Sequence, residues 1–155
     1  MTENTRVRSR STASGTPVQA AAALVGTLFL VVGVMGFIPG ITTDRGSLEA
    51  AGPGSHAELF GLFQVSVLHN MVHLLFGVAG IALARRPSSA RAFLLGGGAV
   101  YLVLFVYGLV VDQDSEANFV PFNTADDWLH LALGVGMIAL GVVLAKRPGA
   151  NAVGR

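Results

Sequence analysis

The sequence predicts an all-α membrane protein, a four-helix transmembrane bundle made by tandem duplication of a two-helix unit, with both termini in the cytoplasm. Three observations predict it. Four apolar stretches are each long enough to cross a bilayer, and basic and acidic residues alternate between the links that join them. Apolar residues make up 52% of the 155, against only 12% charged. A soluble domain carries about 25% charged residues, and a mean hydropathy of +0.63 is more than a core of this size can hide. Lipid is therefore the expected solvent.

Residues 1–17 are Ser/Thr-rich, with Arg6, Arg8 and Arg10 and no apolar period, and read as a disordered cytoplasmic tail. The membrane domain spans 18–147. Val18 to Ile38 is apolar or small except for Gln19 and Thr27, against the ~20 residues that cross a bilayer at 1.5 Å per residue. It is longer than a signal-peptide core and stops at Pro39-Gly40 without a cleavage motif, so an uncleaved anchor is expected. Further spans are expected at about 59–83, 92–111 and 125–144. They are separated by a Gly- and Pro-rich loop, a short basic link from Arg85 to Arg91 and an acidic segment from Asp112 to Thr124. Residues 148–155 form a short cytoplasmic tail.

Orientation follows from charge. Arg6, Arg8, Arg10, Arg85, Arg86, Arg91, Lys146, Arg147 and Arg155 fall on one side of the four spans, and Arg45 alone falls on the other. Short loops rich in Lys and Arg stay in the cytoplasm. Every acidic residue except Glu3 then lies outside.

Helices in lipid associate through small residues that let backbones approach. Ala22/Gly26, Gly80/Ala84, Ala132/Gly136 and Gly141/Ala145 are such pairs, and Gly96-Gly97-Gly98 lies in the third span. They are assigned first to packing within the bundle and second to self-association or contact with other membrane proteins. Internal similarity points to duplication, with Gly26 to Gly36 paralleling Gly98 to Gly108. The second and fourth spans match in two registers. One places His73 to Gly77 on His130 to Gly134, the other Ala84-Arg-Arg-Pro87 on Ala145-Lys-Arg-Pro148.

The chemistry-bearing residues stand at the outer ends of the second and fourth spans. His69 and His73 share one helix face, as do Asp126 and His130 on the other helix. His73 and His130 lie roughly 18 and 24 Å above the inner boundary of a ~30 Å core, a depth at which an ionisable group is a functional candidate. Two readings stand side by side. His69, His73, Asp126 and His130 are the candidate metal ligands of a four-coordinate site, or two histidines from opposite helices ligate haem b. Alternatively His69, Asn70, His73, Asn123, Asp126, Asp127 and His130 form a structural polar cluster that bridges helices. A proton or solute path is a third possibility for the same residues. In the structural reading Thr124-x-x-Asp127 caps the fourth helix and Trp128 is an interfacial anchor. Tyr101 is expected to need a buried hydroxyl partner, and His56 to be solvated.

The pattern His69-Asn70-x-x-His73-x-x-x-Gly77, with Asn123-x-x-Asp126-x-x-Leu129-His130 opening the last span, resembles the uncharacterised four-span family called domain of unknown function 4383. That family is common in actinobacteria. The resemblance covers about Val18 to Arg147 and implies a multi-pass bacterial plasma-membrane protein, with no activity, cofactor or substrate attached.

The chain has no phosphate-binding loop, nucleophile elbow or His-Glu-x-x-His motif, and no cysteine. No Asp, Glu, Lys or Arg lies deep within a span, and the basic residues are too dispersed for nucleic-acid binding. The expected function is a non-enzymatic accessory or structural membrane component without a cofactor, its surroundings the lipid bilayer. The alternative is a protein binding metal or haem through the histidines.

Overall fold

A computed structural model describes residues 15–144. The basic N-terminal tail, the Gly141/Ala145 pair through its second member, and the Lys146-Arg147-Pro148 stop lie wholly or partly outside the described residues. The described residues form four helices: α1 (Pro17–Met35), α2 (Val67–Leu83), α3 (Pro87–Val110) and α4 (Thr124–Val143). Among them α1, α3 and α4 are long and apolar enough to cross a membrane, whereas α2 is apolar but has 17 residues. The protein is thus a helical, multi-pass membrane protein.

Two of the four expected starts move, each for a local reason. α2 begins at Val67 rather than at Leu59 because residues 58–64 form a β-hairpin. Strands β1 (Thr42–Thr43), β2 (Glu58–Leu59) and β3 (Phe63–Gln64) make a small antiparallel sheet in that order. At the hairpin tip Phe60 and Gly61 both have positive φ, 57° and 65°, as the tight turns that suit strand twist require. Ala57, Leu59 and Val65 point into a small core, an alternation of period two that a reading for helical span overlooks. α3 begins at Pro87 rather than Ala92 because proline is favoured in the first helical turn, where its missing N–H is not needed. Arg91 therefore lies on the helix, and its Nε donates to the Gly141 carbonyl at 3.3 Å.

α1 packs along α2 and α3 along α4, and glycine sets the distance in both pairs. A Cβ on Gly26 would lie 2.8 Å from the Ile81 nitrogen and 2.9 Å from the Gly77 carbonyl oxygen. One on Gly98 would lie 2.8 Å from the Gly134 carbonyl oxygen. Leu30 packs over Gly77, and Leu102 over Gly134. By contrast Gly96 and Gly136 meet nothing, so the Ala132/Gly136 pair faces outward and takes no part in packing within the bundle. Where α1 and α3 cross, Phe29 and Tyr101 stack with ring centroids 5.4 Å apart and planes 15° from parallel. Phe76 stands edge-on to both. Tyr101 is held by this ring contact, and its hydroxyl makes no hydrogen bond among the described residues. At the end away from the hairpin, Gln19 donates to the Ala84 carbonyl at 2.9 Å, joining the start of α1 to the end of α2.

The glycine contacts make a paired prediction for thermal melts in detergent. Gly98→Ala should lower the melting temperature, since overpacking against backbone costs about 1–3 kcal/mol. Gly96→Ala, in open space on the same helix, should leave it unchanged or raise it, because alanine is favoured over glycine in a helix by roughly 0.5–1 kcal/mol. Equal effects of the two would mean that close approach does not set the packing.

Candidate functional site

The loop before α2 and the loop before α4 bring the candidate residues to one end of the bundle. The N-terminus of α2 is satisfied by the loop itself. Val67 and Leu68 donate their backbone N–H to the carbonyls of Glu49 and Ala50 at 3.0 and 2.9 Å, and the Ser66 hydroxyl accepts from the His69 N–H at 3.1 Å. This leaves His69 at the third helical position and His73 one turn further on.

At α4 the cap is one residue earlier than Thr124. Asn123 Oδ1 accepts from the Asp126 N–H and Asp126 Oδ2 accepts from the Asn123 N–H, both at 3.0 Å. Asparagine outranks threonine at this position, so the reciprocal pair forms on Asn123 and Asp126 rather than on Thr124 and Asp127. The same Asp126 Oδ2 accepts from the Gln64 N–H at 3.1 Å, and Asn123 Nδ2 donates to the Leu62 carbonyl at 2.8 Å. The hairpin is thereby fastened to the start of α4 by two long-range bonds.

The three imidazoles do come together. His69 and His73 stack with centroids 4.7 Å apart. Phe122 packs edge-to-face on His69 at 5.7 Å and on His130 at 4.6 Å. His73 also meets Phe29 at 5.7 Å, and His130 meets Tyr101 at 5.3 Å. His69, His73, His130 and Asp126 line one cavity of about 240 Å³. Its other walls are apolar, from Val32 on α1, Leu59 and Val65 around the hairpin, and Leu133 on α4.

Hydrogen bonding separates these groups. His73 Nδ1–H donates to the His69 carbonyl at 3.1 Å. A carbonyl can only accept, so the proton of a neutral ring is on Nδ1 and Nε2 is left as an acceptor. Nδ1 of His69 and Nδ1 of His130 are buried with no partner among the described residues. The histidines thus do not bridge helices by hydrogen bonds to one another or to Asn70. Among the described residues no three His, Asp or Glu side chains are placed to hold a metal ion.

Asn70 and Asp127 belong elsewhere. The Asn70 carboxamide fills the space where Gly36, at the end of α1, lacks a side chain, and the Asp127 carboxylate does the same at Gly108 on α3. Gln113 donates to Asp127 Oδ2 at 3.3 Å, while Asn70 Nδ2 and Asp127 Oδ1 are buried without partners. His56 is exposed, as expected, beside a separate polar hollow with Glu58 and Gln64.

Sequence reasoning missed three residues that shape the site. Phe122 precedes the cap of α4, where an apolar residue commonly packs onto the helix it introduces, and that signal could have found it. Asn118 holds Phe122 in place: its Nδ2 donates to the Gln113 and Phe122 carbonyls at 3.0 and 3.1 Å, and its Oδ1 accepts from the Phe122 N–H at 3.0 Å. Gln64 reaches Asp126 through its backbone N–H, a contact that its residue type does not signal, while its Nε2 donates to the Ser55 carbonyl at 2.7 Å.

Asp126→Ala should remove two accepted hydrogen bonds and lower stability by about 2–4 kcal/mol, with Asp126→Asn costing less because it keeps an acceptor oxygen. The specific readout is amide hydrogen exchange, which should accelerate at Gln64 and Asn123 in Asp126→Ala. Unchanged exchange at both would show that the carboxylate does not fasten the hairpin.

No match is found among curated proteins or solved structures. Residues 19–143 match the family described as Domain of unknown function (DUF4383). The match covers well over half of the chain, including nearly all of α1, the other three helices and the histidine-lined cavity, and the protein belongs to that family.

Proposed function

We propose that this protein is a non-enzymatic accessory or structural component of a bacterial plasma membrane, with four spans, both termini in the cytoplasm and two pseudo-equivalent halves. The observation that carries the non-enzymatic reading is the engagement of Asp126. The one carboxylate beside the three imidazoles already accepts from two backbone N–H groups that tie the hairpin to α4. Both bonds fall on Asp126 Oδ2 and fix the carboxylate between the hairpin and the cap of α4, a structural duty that supports the non-enzymatic reading.

Matched contacts support the duplication. Gly26, Leu30 and Gly36 stand to Gly77 and Asn70 as Gly98, Leu102 and Gly108 stand to Gly134 and Asp127. Phe29 lies on His73 and Tyr101 on His130, and Phe29 and Tyr101 stack on each other. These pairs favour the register that aligns His73 with His130, in which the caps Ser66 and Asn123 also correspond. Duplication of a two-span unit keeps orientation, so the two halves relate by an axis along the membrane normal.

The orientation rests on the segregation of basic residues. With no native cysteine, Ser88→Cys and Glu116→Cys give clean probes, both exposed. An impermeant thiol reagent applied to intact cells should label Glu116→Cys, and Ser88→Cys only after permeabilisation. The reverse pattern would overturn the topology.

One observation favours metal binding as a second reading: His73 donates Nδ1–H to a carbonyl, as metal-ligating histidines do to orient the other nitrogen. The cavity is smaller than the 300–1,000 Å³ typical of drug-sized ligands, which favours an ion over a haem. Protein purified in detergent should show no Soret band and no stoichiometric metal on elemental analysis. Either signal would replace the structural reading with the metal-binding one.

A further inference from the structure

We infer that the histidine-lined cavity is a binding site for a membrane-borne lipophile with an uncharged hydroxyl head. The inference rests on the proposed membrane embedding and assigns a ligand to a site that the structural reading leaves empty of purpose.

Three imidazole rings line one cavity, and two of them carry a buried nitrogen without a partner. His69 and His130 are 4% and 3% exposed, and Nδ1 of each lacks a hydrogen-bond partner. A buried polar atom without a partner costs free energy, and native structures rarely leave such atoms. Phe122 covers one side of these rings edge-on. The cavity is what they share.

The chemistry of the walls selects the head group. His73, with its proton on Nδ1, offers an acceptor at Nε2. A hydroxyl, which donates once and accepts twice, matches that acceptor. A carboxylate or phosphate would bring a charge into a cavity whose lining holds no Lys or Arg to pair it. A fully apolar occupant would leave the His73 acceptor without a donor.

The remaining walls select the tail and the route of entry. Val32, Leu59, Phe63, Val65 and Leu133 offer only hydrocarbon. Phe60 and Leu129 line the cavity yet are 59% and 37% exposed, so they mark its mouth. Both lie on an apolar outer surface with Leu62 beside them, and a mouth rimmed by apolar side chains at the level of the first α4 turn opens to lipid rather than to water. The volume of about 240 Å³ equals that of roughly eight waters, enough for a head and a short length of chain while the rest of the tail stays in the bilayer.

The test uses the full chain in lipid nanodiscs and a diazirine-bearing decanol as photoprobe. Crosslinked peptides should map to the segment from Leu59 to Val65 and to that from Leu129 to Leu133. Decanol should compete at roughly tenfold lower concentration than decane, the difference that one buried hydrogen bond makes, and decanoate should compete no better than decane. Val32→Phe, which fills the cavity, should abolish the labelling, while Val135→Phe on the exposed face should not. His73→Phe, which keeps a planar ring and removes the Nε2 acceptor, should retain labelling but lose the preference for decanol over decane. Labelling spread along exposed positions such as Val103 and Val135, or insensitive to Val32→Phe, would sink the proposal. So would equal competition by decanol and decane in the wild type. If the cysteine pattern described above holds while the photoprobe fails, the membrane reading stands and only the ligand site is lost. A reversed cysteine pattern with cavity labelling would leave the site and overturn the orientation.

Discussion

Helices in lipid gain nothing by hiding apolar surface from water, so how closely two backbones can come decides whether they stay together. In this protein that approach is made at glycines. Gly26 meets the Gly77 carbonyl and the Ile81 nitrogen, and Gly98 meets the Gly134 carbonyl. Any side chain at these positions would push the helices apart. The Phe29–Tyr101 stack where α1 and α3 cross, and the contacts of those two rings with His73 and His130, all depend on that spacing.

The two helix pairs end in loops of unequal length, and the inequality produces the site. The loop before α2 is long enough to fold a sheet, lay its own carbonyls over the first N–H groups of α2 and reach across to Asp126 through Gln64. Backbone groups near a bilayer need such internal partners. The loop before α4 is short, and Asn118 braces it so that Phe122 is delivered onto the imidazoles. One side of the histidine group is closed by an aromatic ring, and the other faces the space beneath the hairpin.

The polar residues at this end divide by task. Asn123 and Asp126 close a capping pair and hold the hairpin, and Asn70 and Asp127 occupy the gaps that Gly36 and Gly108 leave at the ends of α1 and α3. The histidines remain as groups whose hydrogen-bonding capacity is not used up by the fold. A cluster read as one unit is therefore a set of fasteners around a lined cavity.

Much of the architecture was legible because lipid imposes a simple rule on sequence. Long apolar runs, glycine pairs and separated charges each report a constraint that acts along the chain, and α1 and α4 lie close to where those runs place them. The hairpin at Glu58 to Gln64 was hidden because an apolar run reads as span when hydropathy alone is weighed, although Phe60-Gly61 and the inward alternation of Ala57, Leu59 and Val65 carried the strand signal. The convergence of His69, His73 and His130 was anticipated from their shared helix faces. Three things were decided by tertiary structure alone: which nitrogens stay unpartnered, that Asp126 is held by the Gln64 backbone, and that Phe122 covers one side of the rings. Each depends on where two loops distant in sequence come to rest, and a helical period carries no information about that.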